Sequence, residues 1–488
     1  MSRLSRALVF LLFLAPYVFS LIVAQGQMAL PEGFLGLVQN SLIQAALSAL
    51  FAVALGVSIG IGLLGLPRRL RRSTEAAVLV GSFVPSIAWV LMWMVLLPNV
   101  RGLTAIVILH AVGASGLIAS AVVRKVRTRW AGSLELAMVE GAPRGLTWRL
   151  GLLPLLRSDL VTYLLTIFAS SLSSFSIPLL MGGAKAWTFE IAIHQAVRVH
   201  SAWDQVAALT LWQWVTLTAL LFLSRSRMPL RAGAIDHRES RAVEDYGWKP
   251  LVLLGVLPVA AVLVVLLSSA LRGVQQLETA GLLIDGGELG SALLMSIFVA
   301  HFGGLLTAAT ALFFALSRPS ETERRLLSSY VAPSAVITGL MLLLMRAESV
   351  SALADALRIS VGCALVFAPV LWRMRWHVEL STLERQLEVA EIFGASAKMI
   401  VRQILWPQLR PLFYWTWGVA TFWSFGDYAI GAVAASRPIT LALLSRTLLE
   451  SYRLEAAAIL IAFGLFLGFL SYLFFSNRGE RNVGRKMS

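Results

Sequence analysis

The sequence predicts an all-α, polytopic membrane protein with about twelve transmembrane helices, arranged as two parallel six-helix halves. Three observations support this prediction. First, 58% of the 488 residues are hydrophobic and only 14% are charged, which is too apolar for a soluble protein of this length. Second, the chain contains many apolar runs of about 20 residues, the length that a helix needs to cross a bilayer. Third, a block of sequence occurs once in each half of the chain.

The apolar runs are similar in length and contain few charges. We expect spans at 7–24, 38–66, 76–97, 103–123, 160–181, 206–224, 251–271, 289–316, 326–345, 352–371, 412–434 and 454–475. The first run follows Arg3 and Arg6, as in a secretory signal, but it is long for a signal and lacks a small-residue cleavage site. We therefore expect this run to be retained as a span.

The formal net charge of +15 fits either nucleic-acid binding or membrane topology, and the placement of the basic residues decides between them. Basic clusters occur at 68–72, 124–129 and 481–486, and most of the 41 Lys and Arg lie in cytoplasmic segments if the amino terminus is inside. This is the positive-inside bias, and anionic headgroups attract such clusters. We therefore predict cytoplasmic termini, membrane lipid as a partner and no nucleic-acid partner.

A polar stretch at 225–249 separates two groups of six spans, and we interpret it as a cytoplasmic linker. The two halves, 1–224 and 250–488, share a repeated block, in which 135–142 aligns with 388–395 at an offset of 253 residues. An even number of spans separates the copies, so both halves begin on the same side of the membrane. The halves are therefore expected to be parallel repeats related by an axis along the membrane normal.

The repeated block has the pattern of a helix, a sharp turn and a second short helix before the next span. Helix-forming residues run from Leu134 to Glu140, and Gly141 then permits an abrupt change of direction. Pro154 fits the first turn of the next helix, where its missing N–H costs little. One copy alone fits an interfacial amphipathic element equally well. Two copies at matched positions favour helices that dock into another protein.

The block resembles the EAA loop of ABC-importer permeases, whose pattern is Glu-Ala-Ala, three residues, Gly, nine residues, Ile, one residue, Leu-Pro. The loops lie at about 130–157 and 383–410. The residues that match the pattern or repeat between the copies are Glu135, Ala137, Gly141, Ala142 and Pro154, and Glu388, Ala390, Gly394, Ala395 and Pro407. The copies depart from the pattern at Leu136, Val389, Gly151 and Trp406.

This resemblance implies a fused type I ABC-importer permease in the bacterial inner (plasma) membrane. In that family each EAA loop sits in a groove of an ATP-binding subunit, so two loops imply two such subunits. The resemblance also implies an extracytoplasmic solute-binding protein. The chain has no Gly-x-x-x-x-Gly-Lys-Ser/Thr loop, and its cytoplasmic segments are too short for a nucleotide-binding domain. We therefore expect no catalytic residue and no cofactor on this chain, with ATP and Mg on the partner subunit.

The resemblance is closest to the fused permeases of the thiamine and ferric-iron importers. The passages most similar to the thiamine permeases lie at 173–175, 181–183, 188–196, 424–428 and 451–453. Iron permeases share some of these passages. We therefore expect thiamine as the transported solute, with ferric iron as the alternative.

Five residues are candidates for the solute pathway, namely Ser174, Phe175, Trp423, Phe425 and Asp427. Ser174 and Phe175 match Ser424 and Phe425 at an offset of 250, which places Ile177 at the position of Asp427. A carboxylate within the membrane is costly, and a cation such as thiamine would suit Asp427. Alternatively, Asp427 caps a broken helix or bonds to a neighbouring span. The aromatic rings either face a cation or pack and anchor the spans.

No metal site is expected on this chain. The histidines His110, His194, His200 and His301 are scattered and show no ligand spacing. Cys363 is the only cysteine, which excludes an intrachain disulfide, and we expect it to be a small packing residue. If iron is the cargo, the binding protein would hold it.

Two other classes of protein are alternatives. A secondary transporter driven by an ion gradient also has twelve spans in two halves. However, the loop at 67–75 lacks the Asp-Arg-x-Gly-Arg-Arg signature of the major facilitators, and that class has no role for the duplicated loop. A membrane-embedded enzyme needs a cluster of His, Asp or Glu at catalytic spacing, and the sequence shows none.

Overall fold

The computed structural model describes residues 3–127, 131–183, 186–225, 244, 247–280, 286–317, 320, 322–324, 335–344 and 351–484. Most of these residues are helical, and no strand occurs among them. The prediction of an all-α protein is confirmed. Most of the expected linker at 225–249, and the first part of the expected span at 326–345, lie outside the described residues.

In the first half of the chain, long apolar helices alternate with short ones. They are α1 Arg3–Val23, α2 Phe34–Leu64, α3 Arg68–Gly81, α4 Ser86–Leu96, α5 Leu103–Lys125, α6 Ala131–Val139, α7 Arg144–Leu146, α8 Leu153–Leu172, α9 Ser176–Met181, α10 Phe189–Arg198 and α11 Trp203–Arg225. A π-helical turn, Thr147–Leu152, joins α7 to α8.

The second half contains helices in a similar order. They are α12 Leu253–Ala280, α13 Gly286–Leu316, α14 Ala335–Leu344, α15 Ala352–Leu371, α16 His377–Ile392, α17 Ala397–Met399, α18 Trp406–Gly426, α19 Ala429–Ala434, α20 Leu441–Glu450 and α21 Leu454–Gly484. A 3-10 turn, Lys249–Val252, precedes α12, and π-helical turns occur at Trp372–Trp376 and Ile400–Leu405.

Among the described residues, six helical segments are long and apolar enough to cross a membrane. They are Phe34–Leu64, Leu103–Lys125, Lys249–Gln275, Gly286–Leu316, Ala352–Trp376 and Leu454–Ser476. Each of them coincides with an expected span. The chain is therefore a membrane-embedded protein with several transmembrane helices, and the larger count of about twelve spans stays a prediction.

Several of the other expected spans contain breaks that hydropathy alone did not reveal. The run at 76–97 falls on α3 and α4, whose axes differ by 89°. The bend occurs at Pro85, because proline has no N–H to donate and disfavours helical backbone in the residue before it. The run at 160–181 is interrupted between α8 and α9, and the run at 412–434 is interrupted between α18 and α19.

Helices pack in the same combinations in both halves. In the first half, α2 packs against α5, α8 and α10, and α11 packs against α1, α8 and α10. In the second half, α13 packs against α15, α18 and α20, and α21 packs against α12, α18 and α20. In each half, one long apolar helix, α2 or α13, therefore packs against three of the helices that follow it in the chain.

The first helix of each half also contacts the other half. Helix α12 packs against α2, α3, α4 and α5, whereas α1 packs against α13 and α14. Helix α4 in turn packs against α20 and α21. The largest apolar core lies where these elements meet, and it includes Trp89, Trp93, Val262, Leu266, Leu444 and Leu449. The two halves therefore share one core.

A glycine allows α5 to approach α3 closely. A Cβ atom at Gly116 would lie 2.3 Å from the carbonyl oxygen of Val78, a backbone atom that cannot rotate away. We expect Gly116→Val to lower the thermal unfolding midpoint of the purified protein, because overpacking a rigid contact costs about 3 kcal/mol. Gly113→Val on the same helix is the control, since a Cβ there has no atom within 4 Å. Equal midpoints for the two variants would contradict this account of the packing.

Candidate functional site

The first copy of the repeated block folds as a helix that ends in a left-handed glycine. Helix α6 is followed by Gly141, whose φ is +67°. The N–H of Ala142 donates to the carbonyl of Ala137 at 2.9 Å, and the N–H of Glu140 donates to the carbonyl of Leu136 at 3.0 Å. A long backward bond around a left-handed glycine is the Schellman end of a helix. We call residues 131–154 the first elbow.

The second copy has the same hydrogen bonds. Helix α16 is followed by Gly394, whose φ is +74°. The N–H of Ala395 donates to the carbonyl of Ala390 at 3.0 Å, and the N–H of Phe393 donates to the carbonyl of Val389 at 3.1 Å. Each of these atoms lies 253 residues after its counterpart in the first elbow. We call residues 377–407 the second elbow.

The equivalence continues beyond the glycines. The N–H of Thr147 donates to the carbonyl of Pro143 at 3.1 Å, and that of Ile400 donates to the carbonyl of Ser396 at 2.9 Å. A six-residue π-helical turn follows in each elbow, and each next helix has its proline, Pro154 or Pro407, in the first turn. Isolated π-helical turns occur often at functional sites, because they displace side chains from the regular helical path.

Both elbows expose apolar side chains at equivalent positions. Val139 is 82% exposed and Ile392 is 81% exposed, and these two residues are 253 positions apart. The other equivalent pairs of exposed apolar residues are Leu136 with Val389 and Leu146 with Met399. The candidate residues Glu135 and Glu388 are exposed beside them. The elbows lie outside the six long apolar segments, so these side chains form two unpartnered apolar faces at matched positions.

The opposite side of each elbow is anchored in the core. In the first elbow, Leu134 and Leu152 are buried together with Val126, and Ala137 packs at the edge of this cluster. In the second elbow the corresponding cluster contains Leu383, Ile400, Leu405, Trp372 and Trp376, with Ala390 and Ala395 at its edge. A force applied to either elbow would therefore reach the helices packed beneath it.

Ion pairs add further attachments near the elbows. Lys125 at the end of α5 pairs with Asp159 in α8, and both side chains are largely buried. Arg324 is buried and pairs with Glu384 in α16. The indole N–H of Trp376 also donates to the hydroxyl of Thr416 in α18 at 2.8 Å. Breaking a buried pair strands one charge in a poorly solvated site, so these contacts hold the elbows in a defined orientation.

The candidate pathway residues of the first half lie at the break between α8 and α9. His110 of α5 joins Ser174 to α2, because its Nε2 lies 2.9 Å from the Ser174 hydroxyl and its Nδ1 lies 2.9 Å from the amide nitrogen of Gln44. Phe175 is buried, and its ring centroid lies 5.3 Å from that of His194. Gln44 and His110 were not predicted from the sequence as site residues. Their signal was a polar side chain inside an apolar run.

The candidate pathway residues of the second half lie around the break between α18 and α19. A carboxylate oxygen of Asp427 accepts a hydrogen bond from the N–H of Ile430 at 3.3 Å, in the first turn of α19. Asp427 therefore caps this broken helix, which was one of the two interpretations that the sequence allowed. The ring of Trp423 contacts Phe83 and Phe367, and Phe425 contacts His301. These aromatic contacts are packing contacts within the described chain.

The equivalent residues at the two breaks differ in the structure from those that the sequence alignment predicted. Phe175 precedes α9 and Tyr428 precedes α19, and these residues are 253 positions apart, the same offset as in the elbows. Ser174 therefore corresponds to Asp427, whereas the offset of 250 had paired Asp427 with Ile177. The Tyr428 hydroxyl donates to the carbonyl of Ser176, so the two breaks meet directly.

Within the described residues, no group of three or more His, Cys, Asp or Glu side chains lies close enough to hold a metal ion. Cys363 is buried in α15. The chain matches no protein-family model, no curated protein and no solved structure. Its function therefore has to be inferred from the residues and their geometry.

Proposed function

We propose that this chain is the permease subunit of an ATP-driven ABC importer. The observation that carries the proposal is the pair of elbows, which repeat the same hydrogen bonds, left-handed glycine and exposed apolar positions at one offset of 253 residues. Two separate faces of the same form suit two copies of one partner. In ABC importers that partner is the ATP-binding subunit, and the EAA loop is the segment that contacts it.

The proposed architecture is two parallel repeats of the type I permease fold, at 1–224 and 250–488, joined by a cytoplasmic linker. Each repeat would cross the membrane six times, with the bent and broken helices counted as spans. The similar order of helices and the matched packing of α2 and α13 support this arrangement. With the elbows and both termini inside, the protein belongs in the bacterial inner membrane.

In this proposal the chain has no catalytic activity of its own. The partner subunit binds ATP and Mg and hydrolyses ATP, whereas the permease supplies the pathway. A solute-binding protein would deliver the cargo on the extracytoplasmic side. Membrane lipid surrounds the spans, and the basic clusters at 68–72 and 124–129 would lie at the cytoplasmic headgroups.

The proposed mechanism is alternating access. Closure of the two ATP-binding subunits moves the elbows, and each elbow continues through its π-helical turn into α8 or α18. Each of these helices ends at a break, and the two breaks are in contact through Tyr428 and Ser176. Movement of the elbows would therefore change the junction between the halves, opening it outward on closure and inward after hydrolysis.

Thiamine is the proposed solute, and ferric iron is the alternative. The thiamine proposal is supported by the short passages that resemble thiamine permeases and by the carboxylate of Asp427 at the junction between the halves. A secondary transporter is the alternative from another class. That class gives no role to two exposed, equivalent elbows.

The test is reconstitution. The chain, purified with an ATP-binding subunit and a solute-binding protein from the same genome, is expected to take up radiolabelled thiamine into liposomes only when ATP is supplied. Ionophores that collapse ion gradients are expected to leave this uptake unchanged. Uptake by the chain alone, driven by a proton or sodium gradient, would overturn the proposal in favour of a secondary transporter.

A further inference from the structure

We infer that Ser174 and Asp427 form an asymmetric recognition pair for the solute, with a hydrogen-bond donor in one half and a carboxylate in the other. The inference rests on the proposed function and narrows its substrate class. The pair fits a small organic cation that also carries a hydrogen-bond acceptor. It is a poor ligand set for a bare ferric ion, because it supplies a single anionic oxygen group.

The two residues occupy equivalent positions in the halves. Each follows the last turn of a long helix that begins at an elbow, and each precedes the aromatic residue at the start of a short helix. Ser174 and Asp427 are partly exposed, although the following residues, Phe175 and Tyr428, are buried. The two polar groups therefore lie at a junction whose next side chains are packed.

Hydrogen bonding fixes the chemical role of Ser174. The amide nitrogen of Gln44 can only donate, so the Nδ1 atom of His110 accepts its hydrogen bond. The proton of the neutral imidazole is then on Nε2, which donates to the Ser174 hydroxyl. That hydroxyl oxygen is already an acceptor, and the described part of the chain offers no acceptor for its proton. Ser174 is thus poised as a donor.

Asp427 has the opposite role. A carboxylate accepts hydrogen bonds and attracts positive charge, and it has capacity for several donors at once. Asp427 accepts hydrogen bonds from the backbone N–H groups of Ile430 and Ala429 among the described residues. Its two oxygens offer about four lone-pair sites, so part of this acceptor capacity is left for a cationic group.

The asymmetry separates the two candidate cargoes. A ferric ion prefers several hard, anionic oxygen ligands, whereas this junction offers one carboxylate and one neutral hydroxyl, one of whose two lone pairs already accepts from His110. Thiamine carries a fixed positive charge together with ring nitrogens and a hydroxyl that accept hydrogen bonds. An organic cation of this kind offers its charge to Asp427 and an acceptor to Ser174, at the two breaks that meet through Tyr428 and Ser176.

The test measures the initial rate of radiolabelled thiamine uptake by the complete reconstituted transporter at saturating solute. Asp427→Asn retains a side-chain oxygen that can cap α19, and we expect it to lower uptake about tenfold because the charge is lost. Ser174→Ala is expected to lower uptake about fivefold through the loss of one hydrogen bond. Ser170→Ala is the matched control, since the exposed Ser170 hydroxyl donates to the carbonyl of Ile167 in its own helix, and the uptake of this variant is expected to be unchanged.

The ATPase rate and the ratio of subunits are measured on the same samples. Normal thiamine uptake by both Asp427→Asn and Ser174→Ala, in transporters with wild-type ATPase coupling, would overturn the inference and leave the proposed function standing. Uptake of ferric iron but not thiamine by the wild type would also overturn it. Failure of any ATP-binding subunit to associate would instead count against the proposed function itself.

Discussion

In the proposed transporter, replacing Val139 and Ile392 with glutamate is expected to remove the two ATP-binding subunits one at a time. Among the equivalent apolar positions that are exposed in both elbows, this pair is the most exposed. A carboxylate placed in an apolar contact must lose its water without gaining a partner. Substitution at the centre of an interface costs about 2 kcal/mol or more, which weakens binding about 30-fold.

The stoichiometry makes this prediction specific. Val139→Glu and Ile392→Glu are each expected to leave one ATP-binding subunit per permease, and the double variant is expected to leave none. Native mass spectrometry of the detergent-purified complex measures these ratios directly. Val199→Glu is the control, because Val199 is 68% exposed in the turn between α10 and α11, on the extracytoplasmic side in the proposed topology. Full occupancy in the double variant would contradict the assignment of the elbows as docking elements.

The helix and glycine turn of each elbow were predicted from the sequence because the signals for them are local. Gly141 and Gly394 indicate a helix end with left-handed backbone, and the hydrogen bond around each glycine joins residues only five positions apart. Pro154 and Pro407 mark the start of the next helix in the same local way. What the sequence did not predict was the π-helical turn in each elbow, which depends on packing against neighbouring helices.

The broken helices were predicted less well because hydropathy measures composition and not direction. The runs at 160–181 and 412–434 are apolar throughout, so nothing in their average distinguishes one helix from two. Pro85 was a visible breaker in the run at 76–97, and its effect there is a bend of 89°. The correspondence between Ser174 and Asp427 also needed the structure, because the two residues are chemically different.

Contacts between segments that are distant in the chain were the hardest features to predict from the sequence. Gln44 and His110 belong to different helices and Ser174 lies at the break between α8 and α9, and their hydrogen bonds join residues at least 64 positions apart. The packing of α1 against the second half, and of α12 against the first half, likewise could not be predicted from a single sequence. Polar residues inside spans were the available hint, since the membrane gives them few alternatives to a specific partner.

Substituting the elbow glycines is expected to uncouple ATP hydrolysis from transport. Gly141 and Gly394 have positive φ, and a Cβ at either position would meet no atom within 4 Å. Within this chain, any effect of Gly141→Val or Gly394→Val must therefore come from backbone conformation. A β-branched residue in the left-handed region costs about 2 kcal/mol, so the turn is expected to open and redirect the elbow. We expect thiamine uptake in proteoliposomes to fall about tenfold while some ATPase activity persists.

Gly145→Val provides the matched control for this prediction. Gly145 lies four residues from Gly141 in the same elbow, has no positive φ, and also has open space around its Cβ position. The substitution is chemically identical, so a difference between the two variants isolates the left-handed turn. Equal transport by Gly141→Val and Gly145→Val would mean that the direction of the elbow does not matter. The elbow would then have no role in coupling, and the movement that accompanies ATP hydrolysis would have to be transmitted to the membrane helices through another contact.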